Sequence, residues 1–441
     1  MSRYTSVTDD DLREMLATIG VPSVDALFGD VPPAIRLERP LALADGLSEQ
    51  EVYERLQELA ARNVSAEDEI TFLGAGMYDS YVPALVDSII TRSEFLTPYT
   101  PYQPEVSQGG LQAMFEYQTA ISELTGLPVS NASVYEGPSA VAAAGYLAKL
   151  HNGRRRFLVS AGVHPHALET LTTLARGWEM DVEQVELRDG VTDVDMLGAL
   201  GDDVSALIVA QPNFLGAIER LDPLVEAAHD AGALVICCAD PISLGLLQAP
   251  GAQGVDIVVG EGQTLGNRLD FGGPSFGFFA VTDELVRRLP GRIAGQTHDL
   301  DGRLGYVLTL QTREQHIRRE KATSNICTAQ ALNALAGIVY LSWLGRRGLV
   351  ELAELLAQRT GYARERLTAI VGVSASHSQP VVREFAVRID GDLDAVVAHC
   401  LESGINPGYR LSEDELLIAI TERRTRTQID RLAETIEEAL A

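Results

Sequence analysis

Lysine is nearly missing from this chain. Two occur in 441 residues, Lys149 and Lys321, although Lys and Arg together number 35. Positive charge is thus carried almost wholly by arginine, which stays protonated and offers no amine nucleophile. Cysteine is scarce too. The four, Cys237, Cys238, Cys327 and Cys400, form no Cys-x-x-Cys pair and have no histidine at zinc-ligand spacing. No metal site is expected, and adjacent thiols in the apolar run that ends at Cys238 suit a reducing compartment. No apolar run is long enough to cross a bilayer. Asp9, Asp10 and Asp11 stand near the N-terminus, without the apolar stretch of a signal peptide, so the expected location is cytoplasmic.

Acidic charge is what the chain has in excess. The formal net charge is −27. Such a surface repels nucleic acid and anionic membranes, and neither is an expected partner. It keeps the chain soluble, or it steers a basic partner. The hydrophobic fraction of 46% is ordinary for a globular protein, and the length allows two or three domains.

The first segment reads as a helical arm. Thr8 can cap a helix that carries Leu12, Met15, Leu16 and Ile19, and Gly20 stops it. Pro32, Pro33 and Pro40 mark an extended link, and Ser48 opens a second helix through Val52, Leu56 and Leu59. From about Phe72 to Val281, apolar strands alternate with helices. Phe157–Val159, Ser205–Ala210 and Ala233–Cys238 read as strands; His166–Arg176 and Leu221–Asp230 read as helices. Continuous apolar strands separated by helices imply a parallel sheet covered on both faces, with ligands at the carboxyl ends of the strands. Beyond Thr328 the pattern predicts helices over Gln330–Leu344, Leu349–Leu367, Leu393–Leu401 and Arg431–Leu440. It predicts strands over Glu384–Ile389 and Leu416–Ile420.

Three blocks carry a resemblance. The first is Phe72-Leu73-Gly74-Ala75-Gly76 with Tyr78-Asp79. The second is Phe95-Leu96-Thr97-Pro98-Tyr99-Thr100-Pro101-Tyr102-Gln103-Pro104-Glu105, followed by Ser107-Gln108-Gly109. The third runs from Gly305 to Thr328 and includes Arg313-Glu314-Gln315-His316-Ile317-Arg318-Arg319-Glu320-Lys321 and Ser324-Asn325-Ile326-Cys327. Over nearly its whole length the chain resembles subunit 1, the alpha subunit, of the split glycine dehydrogenase (decarboxylating). That is the P-protein of the glycine cleavage system.

The resemblance implies an α/β, fold-type-I PLP-dependent transferase-like architecture. It would have a helical arm over 1–65, a large domain with a mainly parallel sheet over 66–328, and a smaller C-terminal α+β domain over 329–441. The expected activity belongs to a complex: glycine is bound through pyridoxal phosphate (PLP), CO2 leaves, and the aminomethyl group passes to the lipoyl group of H-protein. The expected partners are subunit 2 in an α2β2 assembly, H-protein, and the wider system with its T- and L-proteins. A non-catalytic scaffold or binding protein of the same fold is the alternative. A nicotinamide oxidoreductase is disfavoured by the missing G-x-G-x-x-G fingerprint.

In this fold the strand-turn Val255–Thr264 would deliver the lysine that holds PLP, and spacing from Asp256 puts that position near Thr264. A hydroxyl cannot form an imine, so no catalytic residue is expected here, and PLP should be held covalently by subunit 2 alone. Asp240 would pair with the cofactor ring in an active relative; before Pro241 it also reads as a turn residue. The glycine turns at Gly74–Gly76 and Gly272–Gly273 read either as phosphate loops or as plain tight turns. Ser80, Glu136 and Pro138 depart from the family pattern. Interface or pocket-wall candidates are Tyr99, Tyr102, Gln103 and Glu105 in a proline-stiffened loop. Arg313, His316, Arg318, Arg319 and Lys321, in a dense basic cluster, are further candidates, with Asn325 just beyond it. That cluster would meet subunit 2 or H-protein, or pair with carboxylates of its own chain. His164-Pro165-His166 reads as a cap or core pair rather than as metal ligands.

Overall fold

The computed structural model describes residues 6–37, 39, 41–197, 200–326 and 328–441. Pro40 and Cys327 lie outside the described residues. Packing divides the chain into two units, Met1–Val64 and Ser65–Ala441.

In the first unit Thr8 caps helix α1 (Asp9–Ile19). Its hydroxyl accepts from the Asp11 amide, while Asp11 accepts from the Thr8 amide. Gly20 ends the helix in the left-handed conformation. Ser48 and Glu51 repeat the reciprocal cap at α2 (Glu49–Ala60). The apolar stripes of both helices stay exposed at Met15, Ile19, Leu56 and Leu59.

The second unit is organised on a seven-stranded sheet. Its strands are β1 (Val129–Ser130), β2 (Arg156–Ser160), β3 (Asp181–Val185), β4 (Val204–Gln211), β5 (Leu234–Ala239), β6 (Ile257–Glu261) and β7 (Gly277–Val281). The spatial order is β1-β7-β6-β5-β4-β2-β3. Strands β6 to β3 in that order run parallel, and β7 is antiparallel to both neighbours. All of β4 is buried. Leu207 and Val209 enter the apolar cluster on one face; Ala206, Ile208 and Ala210 enter the cluster on the other. Burial on both faces is why β4 reads as a continuous apolar run instead of an alternating one.

Helices cover both faces. Tyr117 and Ile121 of α3 (Gln108–Thr125) fill one cluster, and Leu147 and Ala148 of α4 (Gly137–Asn152) fill the other. Leu171 and Ala175 of α5 (Pro165–Gly177) pack beside α4, while Leu224 and Ala228 of α6 (Leu221–Asp230) share the α3 side. A two-stranded hairpin, β8 (Ile293–His298) and β9 (Leu304–Thr309), follows the sheet. Lys149 lies half-buried on α4, its ammonium donating to the Trp178 carbonyl.

The long helix α7 (Ala331–Thr368) turns at Gly345, where φ is 63° and ψ is 179°, so it is two helices set end to end. A positive φ of this kind costs a glycine little and any other residue more. The first half of α7 puts Ala334, Ala336 and Tyr340 into the large-sheet core. Its last turns put Ala363 and Leu367 into a separate C-terminal core. That core lies against a four-stranded antiparallel sheet, ordered β10-β11-β13-β12: β10 (Val373–Ala375), β11 (Glu384–Ile389), β12 (Tyr409–Arg410) and β13 (Glu415–Ala419). Helices α8 (Leu393–Glu402) and α9 (Arg426–Leu440) pack on it. The last helix starts earlier than its apolar pattern suggests, because Thr425 and Gln428 form a reciprocal cap there.

Candidate functional site

The carboxyl ends of β2, β4, β5 and β6 lie along one side of the sheet, the side on which parallel sheets keep a ligand cleft. In this chain side chains fill that position. Asp240, just past β5, accepts from Arg383 Nη1 at 2.7 Å. Arg383 is 2% exposed, and its guanidinium carbon lies 3.9 Å from the centre of the Tyr78 ring. Its Nη2 donates to Ser80 Oγ at 3.2 Å. The Tyr78 hydroxyl donates to Glu384 Oε2 at 2.6 Å, and Glu384 Oε1 accepts from the Ala75 amide at 2.7 Å. Burial pushes the Glu384 carboxyl up to about 7 and holds the Tyr78 phenol well above its ordinary range. Asp240 also accepts from the amide and hydroxyl of Ser243, so it serves as a turn residue as well as an ion partner.

Backbone geometry sets these groups in place. Arg383 has φ 70°, a left-handed conformation that a long side chain adopts only when its surroundings hold it there. The hold comes from the loop after β4. Val382 donates to Gly216 O, Ile218 donates to Pro380 O, and Ala217 bridges Val381. Gly216 has φ 78°, and a Cβ on it would sit 1.8 Å from the Glu384 carbonyl oxygen. Glycine alone lets the C-terminal sheet approach so closely.

At the floor of the cleft, Thr264 is 2% exposed and its hydroxyl has no partner. Gln263 bonds both backbone groups of Tyr78. Beside them is the N-terminus of α4, where a helix ordinarily offers free amides to an anion. Here the Gly137 amide donates to Glu261 Oε2 at 3.0 Å, and the Ser139 amide donates to Glu136 Oε1 at 3.0 Å. Pro138 has no amide hydrogen. Burial raises the Glu261 carboxyl above its usual range. His164 Nε2 lies 2.8 Å from the Ala75 carbonyl, and its Nδ1 accepts from the His166 amide, so the pair is a structural cap.

A family model, the glycine cleavage system P-protein, matches residues 2–436. The chain belongs to this family. A probable glycine dehydrogenase (decarboxylating) subunit 1 of Geobacillus kaustophilus is 47% identical over 438 residues, covering 98% of each chain. One of Chlorobium phaeobacteroides is 48% identical over 432 residues, covering 97% of each. A crystal structure of glycine decarboxylase (P-protein) of the glycine cleavage system, in inhibitor-bound form, superposes with a TM-score of 0.91. It is 43% identical and covers 99% of this chain and 100% of that one. A sphingosine-1-phosphate lyase of Burkholderia pseudomallei, 15% identical with a TM-score of 0.64 over 93% of this chain and 94% of its own, shares the fold. The architecture is thus that of the fold-type-I PLP-dependent enzymes.

The P-protein cleft of this chain does not fit that cofactor. Arg383 occupies Asp240, two carboxylates occupy the Gly137 and Ser139 amides, and Thr264 offers a hydroxyl, which forms no imine. Ser80, Glu136 and Pro138, which stood out in the sequence as departures, all take part in the filling. Sequence reasoning missed Arg383, Glu384 and Glu261. One signal was available: Arg383-Glu384 interrupts the apolar run Val381-Val382 and Phe385-Ala386-Val387.

The other candidates lie elsewhere. Tyr99 and Tyr102 are 74% and 78% exposed, and Gln103 and Glu105 are exposed beside them. Gln108 pins their loop by donating to the carbonyls of Pro104 and Tyr306. Tyr99 lines a cavity of about 670 Å³ together with Arg292, Thr328 and Gln330. Tyr102, Gln103, Glu105 and the 313–325 candidates do not line it. Arg313 is spent inside the chain, donating to the carbonyls of Leu289, Leu310 and Gly291. His316 Nδ1 lies 3.6 Å from Glu314 Oε2. Arg318, Arg319, Lys321 and Asn325 are exposed. Among the described residues no three His, Cys, Asp or Glu side chains gather as a metal site. No helix among them is long and apolar enough to cross a membrane.

Proposed function

We propose that this chain is subunit 1 of a two-subunit glycine dehydrogenase (decarboxylating). In this reading the complex binds glycine through PLP, releases CO2 and delivers the aminomethyl group to the lipoyl group of H-protein, in the cytoplasm. Subunit 2 holds the cofactor covalently. The observation that carries this division is Thr264, a buried hydroxyl in the place of the Schiff-base lysine, within a chain that matches the family from residue 2 to residue 436. The chain then acts as the fold partner of an α2β2 assembly. Its arm (1–65), large domain (66–328) and small domain (329–441) are the parts this reading assigns.

The exposed Tyr99–Glu105 loop and Arg318, Arg319, Lys321 and Asn325 are the surfaces we assign to subunit 2 or H-protein. Rigid aromatic tips and arginines are the residue types that anchor interfaces. Arg313 supports that region from within. Co-expression with a candidate subunit 2, assayed by glycine–bicarbonate exchange in the presence of H-protein, tests the reading. Exchange by the pair and none by either chain alone is the expected result. Full exchange by subunit 2 alone would overturn it.

A further inference from the structure

We propose that the strand-end cleft has become an ion-pair keystone: it fastens the C-terminal sheet to the large sheet and shuts out phosphopyridine ligands even without a covalent bond. The inference rests on the fold and the contents of the cleft, not on the identity of the partner subunit.

Loss of the lysine alone would leave a cleft able to take the cofactor as a free ligand. Such a ligand needs a carboxylate for its ring nitrogen and amides for its phosphate. Neither is left open. Asp240 faces Arg383 at 2.7 Å, and the Ser80 hydroxyl closes the far side of the guanidinium at 3.2 Å. A phosphate at α4 would have to displace Glu136 and Glu261 from the amides they already engage. Ser80 on Arg383, Glu136 on the Ser139 amide, Pro138 without an amide hydrogen and Thr264 without an amine all act in the same direction.

The filling also does mechanical work. Arg383 and Glu384 stand at the start of β11, in the C-terminal sheet. Their partners Tyr78, Ala75, Ser80 and Asp240 belong to the 74–80 segment and the end of β5. The chain is thus cross-linked by polar bonds at the point where relatives with a working lysine would keep a ligand. Asp240 is only 16% exposed and would lose its charge partner if Arg383 were removed, keeping only the Ser243 amide and hydroxyl. That asymmetry makes a paired cleft hard to reopen.

Two measurements on the full chain decide the matter. The first titrates pyridoxamine phosphate, an amine that Lys149 and Lys321 cannot capture as an imine, followed by its fluorescence. The wild-type chain should show no saturable binding at millimolar probe; saturation at one site per chain would overturn the proposal. The second follows hydrogen exchange in Arg383→Met and Arg383→Lys. Amides of the 72–80 segment and of β11 should exchange faster together. The gain should be roughly a hundredfold in Arg383→Met, as expected for breaking a buried pair, and smaller in Arg383→Lys. If Arg383→Met does not fold, Arg383→Lys carries the test, since it keeps the charge and loses only the planar fork. Unchanged exchange in the folded variant would show that the cleft is not a keystone. Failure of either test leaves the co-expression result untouched, so the two conclusions fall separately.

Discussion

At the scale of single residues, the buried carboxyl of Glu384 makes stability depend on pH. Its ordinary value is 4.5, and in the folded chain burial raises it to about 7. A raised acid binds its proton more tightly when folded. The stability it contributes is complete below 4.5 and falls as pH climbs from 4.5 through about 7. The upper bound is on the order of 3 kcal/mol. Glu384→Gln should therefore flatten the denaturation midpoint across that window, and an unchanged slope would remove Glu384 as the cause. Lysine chemistry gives a second prediction. Borohydride treatment of the chain with PLP should leave no stoichiometric secondary amine. Mass mapping of Lys149 and Lys321 checks this, and a full equivalent at either, together with decarboxylation of glycine, would refute the division of labour between subunits. How legible was this scale? The reading of Thr264 needed only the local strand-turn that starts near Asp256. The keystone could not, since Tyr78 and Glu384 are 306 residues apart and only the folded topology joins them.

Among the elements, legibility followed the locality of the signal. The caps of α1 and α2 are written within four residues, and the structure forms both as their spacing suggests. The buried parallel strands were readable from their apolar runs. The break in α7 was readable as a gap between two periodic stretches, although its cause, the left-handed Gly345, appears only in the structure. Nothing crowds a Cβ at that glycine. Gly345→Ala should thus cost about 1 kcal/mol through backbone conformation alone, seen as a lower denaturation midpoint. No change in midpoint would mean the helix straightens freely. Two further elements bear on assembly. A chain that starts at residue 41 should lose affinity for subunit 2 in size-exclusion chromatography while its remaining core melts as before. Tyr102→Ala should lower the activity of the complex with little effect on the isolated chain, since the side chain is 78% exposed. Loss of folding in the isolated variant would return that loop to a purely internal role.

For the molecule as a whole, several buried carboxyls point the same way. Burial raises Glu219 and Glu261 as it does Glu384. Each destabilises the fold as pH rises, and so does the self-repulsion of a net charge of −27. His164 and His377 act in the opposite sense, because burial lowers both below their ordinary 6.5 and acid then favours the unfolded chain. The melting temperature should peak in mildly acidic buffer and fall toward alkaline pH. Calorimetry at a series of pH values checks the order, and a peak on the alkaline side would contradict it.

The bent helix α7 has a further bearing on the whole. One continuous segment supplies Tyr340 to the large-sheet core and Leu367 to the C-terminal core. Neither core is complete without its half of that segment. Ser65–Ala441 should consequently unfold in a single cooperative transition, with equal calorimetric and van't Hoff enthalpies. A fragment that ends at residue 328 would carry an open apolar face and collect in the insoluble fraction. A gene split at that point would not yield two parts that each fold alone.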